Sequence, residues 1–157
     1  MFRANRRLGF TLVEVLIVVV IMAVLAATII PQFTDASGEA KVSSGKTNLA
    51  TLRSVLALYK AQHNSNFPAN SATVSLETAL TSKTTAAGVV DVNGLYGPYL
   101  QEFPGDSFAN VKTVTNSSTT PLGAPAANTT TGGYNYNPTS GEIRFNYNTT
   151  QFPAHTY

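Results

Sequence analysis

The sequence predicts an α+β protein in which one long N-terminal helix packs on a small C-terminal antiparallel sheet. Three observations support this prediction. Residues 10–30 are almost entirely apolar, residues 31–63 carry apolar side chains at helical spacing, and residues 134–147 contain two alternating runs around a turn. The predicted organisation is a leader at residues 1–9, the helix in two parts, and a head at residues 64–157.

The apolar segment at residues 10–30 is long enough to cross a membrane. Its twenty-one residues, at about 1.5 Å each, give roughly 31 Å, which is near the hydrocarbon thickness of a bilayer. Val, Ile and Leu lie on every side, so it is not an amphipathic surface helix. Three interpretations remain open: a plain anchor, a signal peptide cut near Val24-Leu25-Ala26, and a membrane helix that packs against its own copies.

Positive charge is concentrated before the apolar segment. The chain has ten basic and eight acidic residues, and Arg3, Arg6 and Arg7 all precede Phe10. Without residues 1–9 the chain has seven basic (10 − 3) and eight acidic residues, so no basic surface is expected to bind nucleic acid. The three arginines predict a single pass through the membrane, with the N-terminus in the cytoplasm and the head on the other side.

Glu14 is the one charged residue inside the apolar segment. An acidic side chain at mid-membrane costs about 2.5–3.5 kcal/mol on insertion scales, and less near the interface, where Glu14 lies. It is either tolerated by reaching toward the headgroups or paired with a cation from another chain. Cleavage after Gly9 would create an α-amine at Phe10, one turn away. Between neighbouring helices staggered by a turn, this amine and Glu14 would attract strongly in a low dielectric.

The residues around Glu14 resemble the prepilin cleavage and methylation motif of type IV pilins and of type II secretion pseudopilins. The motif reads Arg6-Arg7-Leu8-Gly9-Phe10-Thr11-Leu12-Val13-Glu14 and continues into the apolar helix. The resemblance implies a pilin-like fold and a membrane prepilin peptidase that cuts between Gly9 and Phe10. It also implies N-methylation of Phe10 and pairing of Glu14 with the methylated amine of a neighbouring subunit during assembly.

Pro31 stands where the apolar segment ends. A proline inside a helix removes one backbone hydrogen bond and clashes with the preceding turn, so it kinks or ends the helix. The resemblance implies bending or local melting at Pro31 in the assembled filament. The simpler alternative is that Pro31 ends a transmembrane helix.

Residues 31–63 are predicted to continue the helix in amphipathic form. The apolar positions recur at spacings of three, four and seven, and they are Val42, Leu49, Leu52, Val55, Leu56 and Tyr59. His63 is interpreted as a helix-end residue rather than a ligand. In the head, we predict a short helix at residues 75–83, a strand at 108–115 and an exposed loop at 116–133. The predicted hairpin uses apolar residues Tyr134, Tyr136, Ile143, Phe145 and Tyr147.

The sequence contains no catalytic constellation. His63 and His155 lack an adjacent nucleophile or acid cluster, and the chain has no cysteine, so an enzyme is not expected. Some major pseudopilins hold calcium in a C-terminal loop, but the acids after residue 90 are not clustered here. No cofactor is expected, and Asp106 is only a weak candidate for a calcium ligand. The absence of cysteine also departs from many adhesive pilins, which favours a pseudopilin.

The sequence therefore predicts a structural subunit that polymerises into a type II secretion pseudopilus or a type IV pilus-like filament. The expected partners are other copies of the chain, prepilin peptidase, the membrane, minor pseudopilins and the secretion or pilus assembly platform. The assembled filament would be extracytoplasmic. The alternative is a membrane-anchored or secreted binding protein whose head recognises a ligand.

Overall fold

The computed structural model describes residues 10–118, Leu122 and residues 132–146, without the side chains of residues 31–36. Within these residues the elements, in chain order, are helices α1 (Leu12–Gln62) and α2 (Leu76–Thr81) and strands β1 (Val114–Asn116), β2 (Tyr134–Tyr136) and β3 (Ile143–Phe145). The chain forms two compact units, Met1–Ala40 and Lys41–Tyr157, and α1 contributes residues to both.

In the first unit, the apolar part of α1 is exposed on all sides. The span Leu12–Ile30 is long and apolar enough to cross a membrane, and none of it is buried within the molecule. Large aliphatic side chains here, such as Leu16 and Ile17, keep more than half of their surface exposed. An apolar surface of this extent is typical of a segment that is covered by lipid or by other protein chains.

The backbone of α1 remains helical through Pro31. A single helix is assigned from Leu12 to Gln62, so Pro31 does not end the transmembrane helix, and that alternative is excluded. The predicted continuation of the helix beyond the apolar segment is present. A kink or local melting at Pro31 stays a prediction.

The second unit contains one hydrophobic core, formed between α1, α2 and the sheet. Its largest members are Leu49, Leu52, Leu56, Tyr59, Leu76, Leu80, Phe103, Tyr134, Tyr136, Ile143 and Phe145, each at most 2% exposed. The four α1 residues recur every three or four positions and therefore lie on one face of the helix. Val42 and Val55, which were predicted on the same face, are half-buried. The one-sided α1 and the inward faces of the hairpin thus cover each other, and the α+β class is confirmed.

The sheet is mixed, not wholly antiparallel as predicted. Strands β2 and β3 form the expected antiparallel hairpin, in which Tyr134 pairs with Phe145. Strand β1, however, pairs with β2 in parallel, with Val114 opposite Tyr134. A parallel pair needs a long connection that returns the chain to the same end of the sheet, and residues 117–133 provide one. Strand direction depends on this path, which the apolar pattern does not encode.

Strand β1 also begins later than predicted, at Val114 rather than at residue 108. The backbone N–H groups of Phe108, Ala109 and Val111 donate to the carboxylate of Asp106. Because these amides are already bonded in a tight turn, they do not join a sheet ladder. The exposed loop predicted at residues 116–133 lies mostly outside the described residues. Leu122, which lies within that range, is buried.

The ends of the two helices are set by local polar contacts. Helix α2 follows Ser75, whose Oγ accepts from Thr78 N at 3.1 Å, and its buried residues are the predicted Leu76, Ala79 and Leu80. Helix α1 ends before Asn64 and Ser65, which both have positive φ. His63 lies at that end, as interpreted, and its ring stacks on Tyr59 at 3.7 Å between ring centroids.

Two glycines of α1 predict opposite effects on stability. A Cβ at Gly45 would lie 2.9 Å from ring atoms of Phe145, whereas a Cβ at Gly38 would have nothing within 4 Å. Gly45→Ala is therefore expected to destabilise the head by about 1–3 kcal/mol through overpacking. Gly38→Ala is expected to stabilise the helix locally by about 0.5–1 kcal/mol. Urea unfolding of the full chain in detergent measures both, and a Gly45→Ala variant as stable as wild type would contradict the packing described here.

Candidate assembly site

The N-terminus of α1 forms a reciprocal capping box between Thr11 and Glu14. Thr11 N donates to Glu14 Oε2 at 2.9 Å, and Glu14 N donates to Thr11 Oγ1 at 3.3 Å. The Thr11 hydroxyl also donates to Glu14 Oε2, at 2.8 Å. This is the arrangement that a Ser/Thr-x-x-Glu spacing produces when the first residue precedes the helix. It pairs two of the backbone donors that a helix start leaves without partners inside the helix.

The capping box changes how the charge of Glu14 is accommodated. A carboxylate near the start of a helix accepts hydrogen bonds there and interacts favourably with the helix dipole. Its own helix therefore offsets part of the cost of placing Glu14 in an apolar segment. Both bonds from Thr11 end on Oε2, and among the described residues Oε1 accepts no hydrogen bond. One carboxylate oxygen, Oε2, is thus hydrogen-bonded within its own helix. These bonds also fix the orientation of the other oxygen, Oε1.

Thr11 is the site residue that sequence analysis did not single out. The signal was present in the sequence, because Thr11 and Glu14 have the Thr-x-x-Glu spacing of a capping box immediately before a long apolar run. Thr11 orients the carboxylate, so it is a positioning residue for whatever Glu14 binds.

The other predicted processing residues are only partly described. Phe10 immediately precedes the capping box and is 81% exposed. Gly9 lies outside the described residues, so the predicted cleavage bond is described on its Phe10 side only. Pro31 has a helical backbone, and its side chain is not described. Phe10 and Glu14 therefore share one exposed end of α1, and Pro31 lies about five turns further along the same helix.

Asp106, the weak calcium candidate, is buried and bonded to backbone amides. Its Oδ1 accepts from Phe108 N at 2.9 Å and from Ala109 N at 2.8 Å. Its Oδ2 accepts from Val111 N at 2.9 Å and from Gly133 N at 3.0 Å. A cation at this carboxylate would have to displace these donors, and nowhere in the described part of the chain do three or more His, Cys, Asp or Glu side chains form a group that could hold a metal. The residues present do not fit a calcium site.

Other buried polar groups of the head also have structural partners. His63 Nε2 lies 2.9 Å from Thr84 Oγ1, and His63 Nδ1 lies 2.8 Å from Tyr59 O. Burial raises the pKa of Tyr134 and Tyr136 well above the usual phenol value, so both hydroxyls stay protonated. The hydroxyl of Tyr136 donates to the Pro68 carbonyl at 2.8 Å. These contacts hold the head together.

Comparison with known proteins agrees with an assembly site at the N-terminus of α1. Residues 4–30 match the family model of the prokaryotic N-terminal methylation motif. The chain is 35% identical to type II secretion system core protein G of Pseudomonas aeruginosa over 102 residues, which are 65% of this chain and 68% of that protein. It is 30% identical to the core protein G of Vibrio cholerae over 110 residues, or 70% of this chain and 71% of that protein.

A shorter similarity extends to type IV pilins. The type IV major pilin protein PilA of Myxococcus xanthus is 47% identical over 57 residues, which are 36% of this chain and 23% of that protein. No solved structure matches the chain. On the identity and coverage of the longer matches, this chain belongs to the type II secretion system core protein G family.

Proposed function

We propose that this chain is a structural subunit that polymerises into a type II secretion pseudopilus. The observation that carries the proposal is the fully exposed apolar span Leu12–Ile30 with a positioned carboxylate, Glu14, at its N-terminal end. In a single copy this span requires lipid. In a polymer, neighbouring copies of the same helix cover it, and one subunit's Glu14 is placed beside the next subunit's N-terminus.

Cleavage of the Gly9–Phe10 bond would create the cation with which Glu14 pairs. The methylation motif match at residues 4–30 includes both residues, which supports cleavage by a prepilin peptidase and N-methylation of Phe10. Cleavage removes the arginine-containing leader and leaves a cationic amine at Phe10. That amine and the carboxylate of a neighbouring Glu14 are both in a low-dielectric environment, where their attraction is strong once they are in contact.

The proposed location follows from the charges that flank the apolar span. Three arginines precede the span, and no residue within Leu12–Ile30 is positively charged. By the positive-inside rule these charges favour a leader in the cytoplasm and a head in the periplasm, with the subunit in the inner membrane before assembly. The assembly platform and minor pseudopilins are then the proposed partners, besides other copies of the chain.

A pseudopilus is favoured over a type IV pilus by the extent of the similarities. The matches to core protein G of Pseudomonas aeruginosa and Vibrio cholerae reach 68% and 71% of those proteins, so they extend well into the head. The match to the Myxococcus xanthus pilin covers 23% of that protein. A match over so small a part of the pilin gives little support for a type IV pilus.

The mature N-terminus tests this function against a monomeric binding protein. We expect intact-mass and N-terminal peptide spectrometry of the chain, purified from cells with a prepilin peptidase, to show a methylated Phe10 as the first residue. Electron microscopy of the same cells, overexpressing the chain, is expected to show filaments. An intact Met1, or a first residue near Ala27, together with absence of filaments, would support the binding-protein alternative and contradict the proposal.

We further propose that the head needs no metal ion. The carboxylate of Asp106 is bonded to four backbone N–H groups, which occupy the positions that a cation would need. The expected result is that the unfolding temperature of the full chain in detergent is the same with excess EDTA and with millimolar calcium. A fall in unfolding temperature with EDTA that calcium reverses would overturn this proposal.

A further inference from the structure

Strand β1 lies at one edge of the sheet. The strand order is β1-β2-β3, so within the described part of the chain β1 has a strand on one side only. Its residues, Val114–Asn116, are half-buried or exposed. An edge strand presents backbone N–H and C=O groups that can pair with a strand of another chain, and folded proteins usually block such an edge. The free side of β1 is therefore a surface to which a second chain could add.

The hydrogen bonds between β1 and β2 identify the backbone groups on this free side. Thr113 O accepts from a β2 amide, and Ser117 N donates to a β2 carbonyl, both at 2.9 Å. Because backbone groups alternate in direction along a strand, those of Thr115 also face β2. The N–H and C=O groups of Val114 and Asn116 therefore point away from the sheet.

The side chain of Asn70 lies against the free side of β1. Its Nδ2 donates to Val114 O at 3.2 Å and to Asn116 Oδ1 at 2.8 Å. In return, Asn116 Nδ2 donates to the backbone carbonyl of Asn70. We call these three bonds the Asn70–Asn116 clasp. One outward carbonyl of β1 thus already accepts a hydrogen bond, and a side chain lies where an added strand would run.

Contacts on both sides of Asn70 hold the clasp in place. The carbonyl of Pro68, two residues earlier, accepts from Tyr136 Oη at 2.8 Å. Asn70 Oδ1 accepts from the backbone N–H of Leu76, the first residue of α2, at 3.0 Å. The amide group of Asn70 therefore connects the start of α2 with the edge of the sheet, and both of its polar atoms are bonded.

The outward groups of β1 are complementary to those of a second copy of β1. In an antiparallel pair centred on Thr115, Val114 of each copy would lie opposite Asn116 of the other. Each opposed pair would exchange two N–H···O bonds, which gives four bonds in all. The Val114 carbonyls would accept two of these four bonds, one in each copy. The clasp occupies both of these carbonyls.

We propose that the free side of β1 is a pairing surface for β1 of a second copy, and that the Asn70–Asn116 clasp keeps this surface closed. The pairing involves two heads only, so it does not rest on the proposed polymerisation. The contact would use the same surface on both copies, and such an isologous contact ends at a dimer. In a chain that polymerises, the clasp prevents a pairing that would compete with growth of the filament.

The properties of β1 favour a second copy as the occupant over an unrelated extended peptide. The strand has three residues and none of them is charged, so two copies would meet without like-charge repulsion across the pair. Thr115 would lie opposite Thr115 of the other copy, which is a favourable cross-strand combination. Two-fold pairing also places every outward donor of β1 opposite an outward acceptor.

Cysteine cross-linking tests the pairing, because the chain has no cysteine of its own. The two copies of the exposed position 115 would form a non-hydrogen-bonded pair with Cα atoms about 4.5 Å apart, a separation that a disulfide can span. We compare Thr115→Cys alone with Thr115→Cys plus Asn70→Ala, using the full chain oxidised in detergent. Non-reducing electrophoresis is expected to show about tenfold more disulfide-linked dimer with Asn70→Ala, and nothing larger.

Two controls separate the pairing from general loosening of the head and from accidental contact. Ser75→Ala removes the N-cap of α2, whose Oγ accepts from Thr78 N, but leaves the clasp intact. Combined with Thr115→Cys, it is expected to give no more dimer than Thr115→Cys alone. Ser118→Cys with Asn70→Ala would place the two cysteines about six residues apart along the pair, or roughly 20 Å, and is expected to give no dimer.

Asn70→Asp provides a second variant that preserves the start of α2. Its carboxylate can still accept from Leu76 N but cannot donate to Val114 O or to Asn116 Oδ1, so two of the three clasp bonds are lost. With Thr115→Cys it is also expected to raise the dimer fraction. The near-ultraviolet signal of the tyrosines reports whether the head of each variant is folded.

The outcomes distinguish the two parts of the proposal. Equal dimer fractions with and without the Asn70 substitutions would contradict the role of the clasp. Absence of dimer from both Asn70 variants, with the head folded, would show that β1 is not a pairing surface. Because the measurement is made in detergent, neither result depends on whether the chain forms filaments, so the proposed function is tested separately.

Discussion

Glu14→Ala is expected to abolish filaments while leaving removal of residues 1–9 intact. Without the carboxylate, the new amine at Phe10 has no partner when it enters the apolar interior of the polymer. Removing one member of a buried ion pair typically costs about 3–5 kcal/mol, because the other charge is left uncompensated. At about 1.4 kcal/mol per tenfold, this loss weakens each subunit contact by roughly a hundredfold or more. Filament counts by electron microscopy and the mass of the processed chain measure the two outcomes.

Thr11→Val is the matched control for Glu14→Ala, because the capping box gives Glu14 a second role. If Glu14 acted only by capping α1, the two variants would reduce assembly equally, since each removes the side-chain contact between Thr11 and Glu14. Loss of a cap costs about 1 kcal/mol. We therefore expect Thr11→Val to reduce filament number and Glu14→Ala to eliminate filaments. Normal filaments from Glu14→Ala would contradict the pairing role.

Asp106→Ala is expected to produce the largest loss of head stability of any single polar substitution proposed here. The carboxylate is 1% exposed and accepts from four backbone N–H groups, one of them on Gly133, 27 residues away. Removing the carboxylate leaves these four backbone N–H groups without their acceptor. Hydrogen bonds to charged groups contribute about 1.5–3 kcal/mol each and do not add fully, so a loss of about 4 kcal/mol or more is expected.

Thermal unfolding of the full chain in detergent, followed by the near-ultraviolet signal of the tyrosines, measures this loss. A destabilisation of that size lowers the unfolding temperature by roughly 15 °C. Asp106→Asn, which keeps one acceptor oxygen, is expected to lose less. The control is Asp91→Asn, at an exposed aspartate with one backbone bond, where a change within about 0.5 kcal/mol is expected. Equal unfolding temperatures for Asp106→Ala and wild type would show that the carboxylate does not organise the loop.

The features that were predicted correctly are those encoded by residues close together in the chain. The hairpin of β2 and β3 follows from alternation and a turn within 134–146, and the buried face of α1 follows from spacings of three and four. The apolar span is equally local. The spacing of apolar residues and the residue types of a turn involve only a few neighbouring positions. Both can therefore be recognised without knowing the fold.

The errors arose where contacts between distant residues decided the outcome. Residues 108–111 have the apolar content of a strand, but backbone N–H groups in this segment donate to the Asp106 carboxylate and form a turn. The same carboxylate accepts from Gly133 N, which links the turn to the start of β2. The same contact gives Asp106, the weak candidate for a calcium ligand, a structural role that no spacing rule predicts. Likewise, the parallel pairing of β1 with β2 depends on the path of the connecting chain.

By itself the sequence determined the membrane span, the acid at its start, the one-sided continuation of α1 and the hairpin, because each is a short-range pattern of polarity. The tertiary structure alone decided which polar groups are buried and how β1 joins the sheet. These depend on residues 20 to 30 or more positions apart, such as His63 and Thr84, 21 residues apart. Burial and pairing are properties of that assembled arrangement, and no local window of the chain contains them.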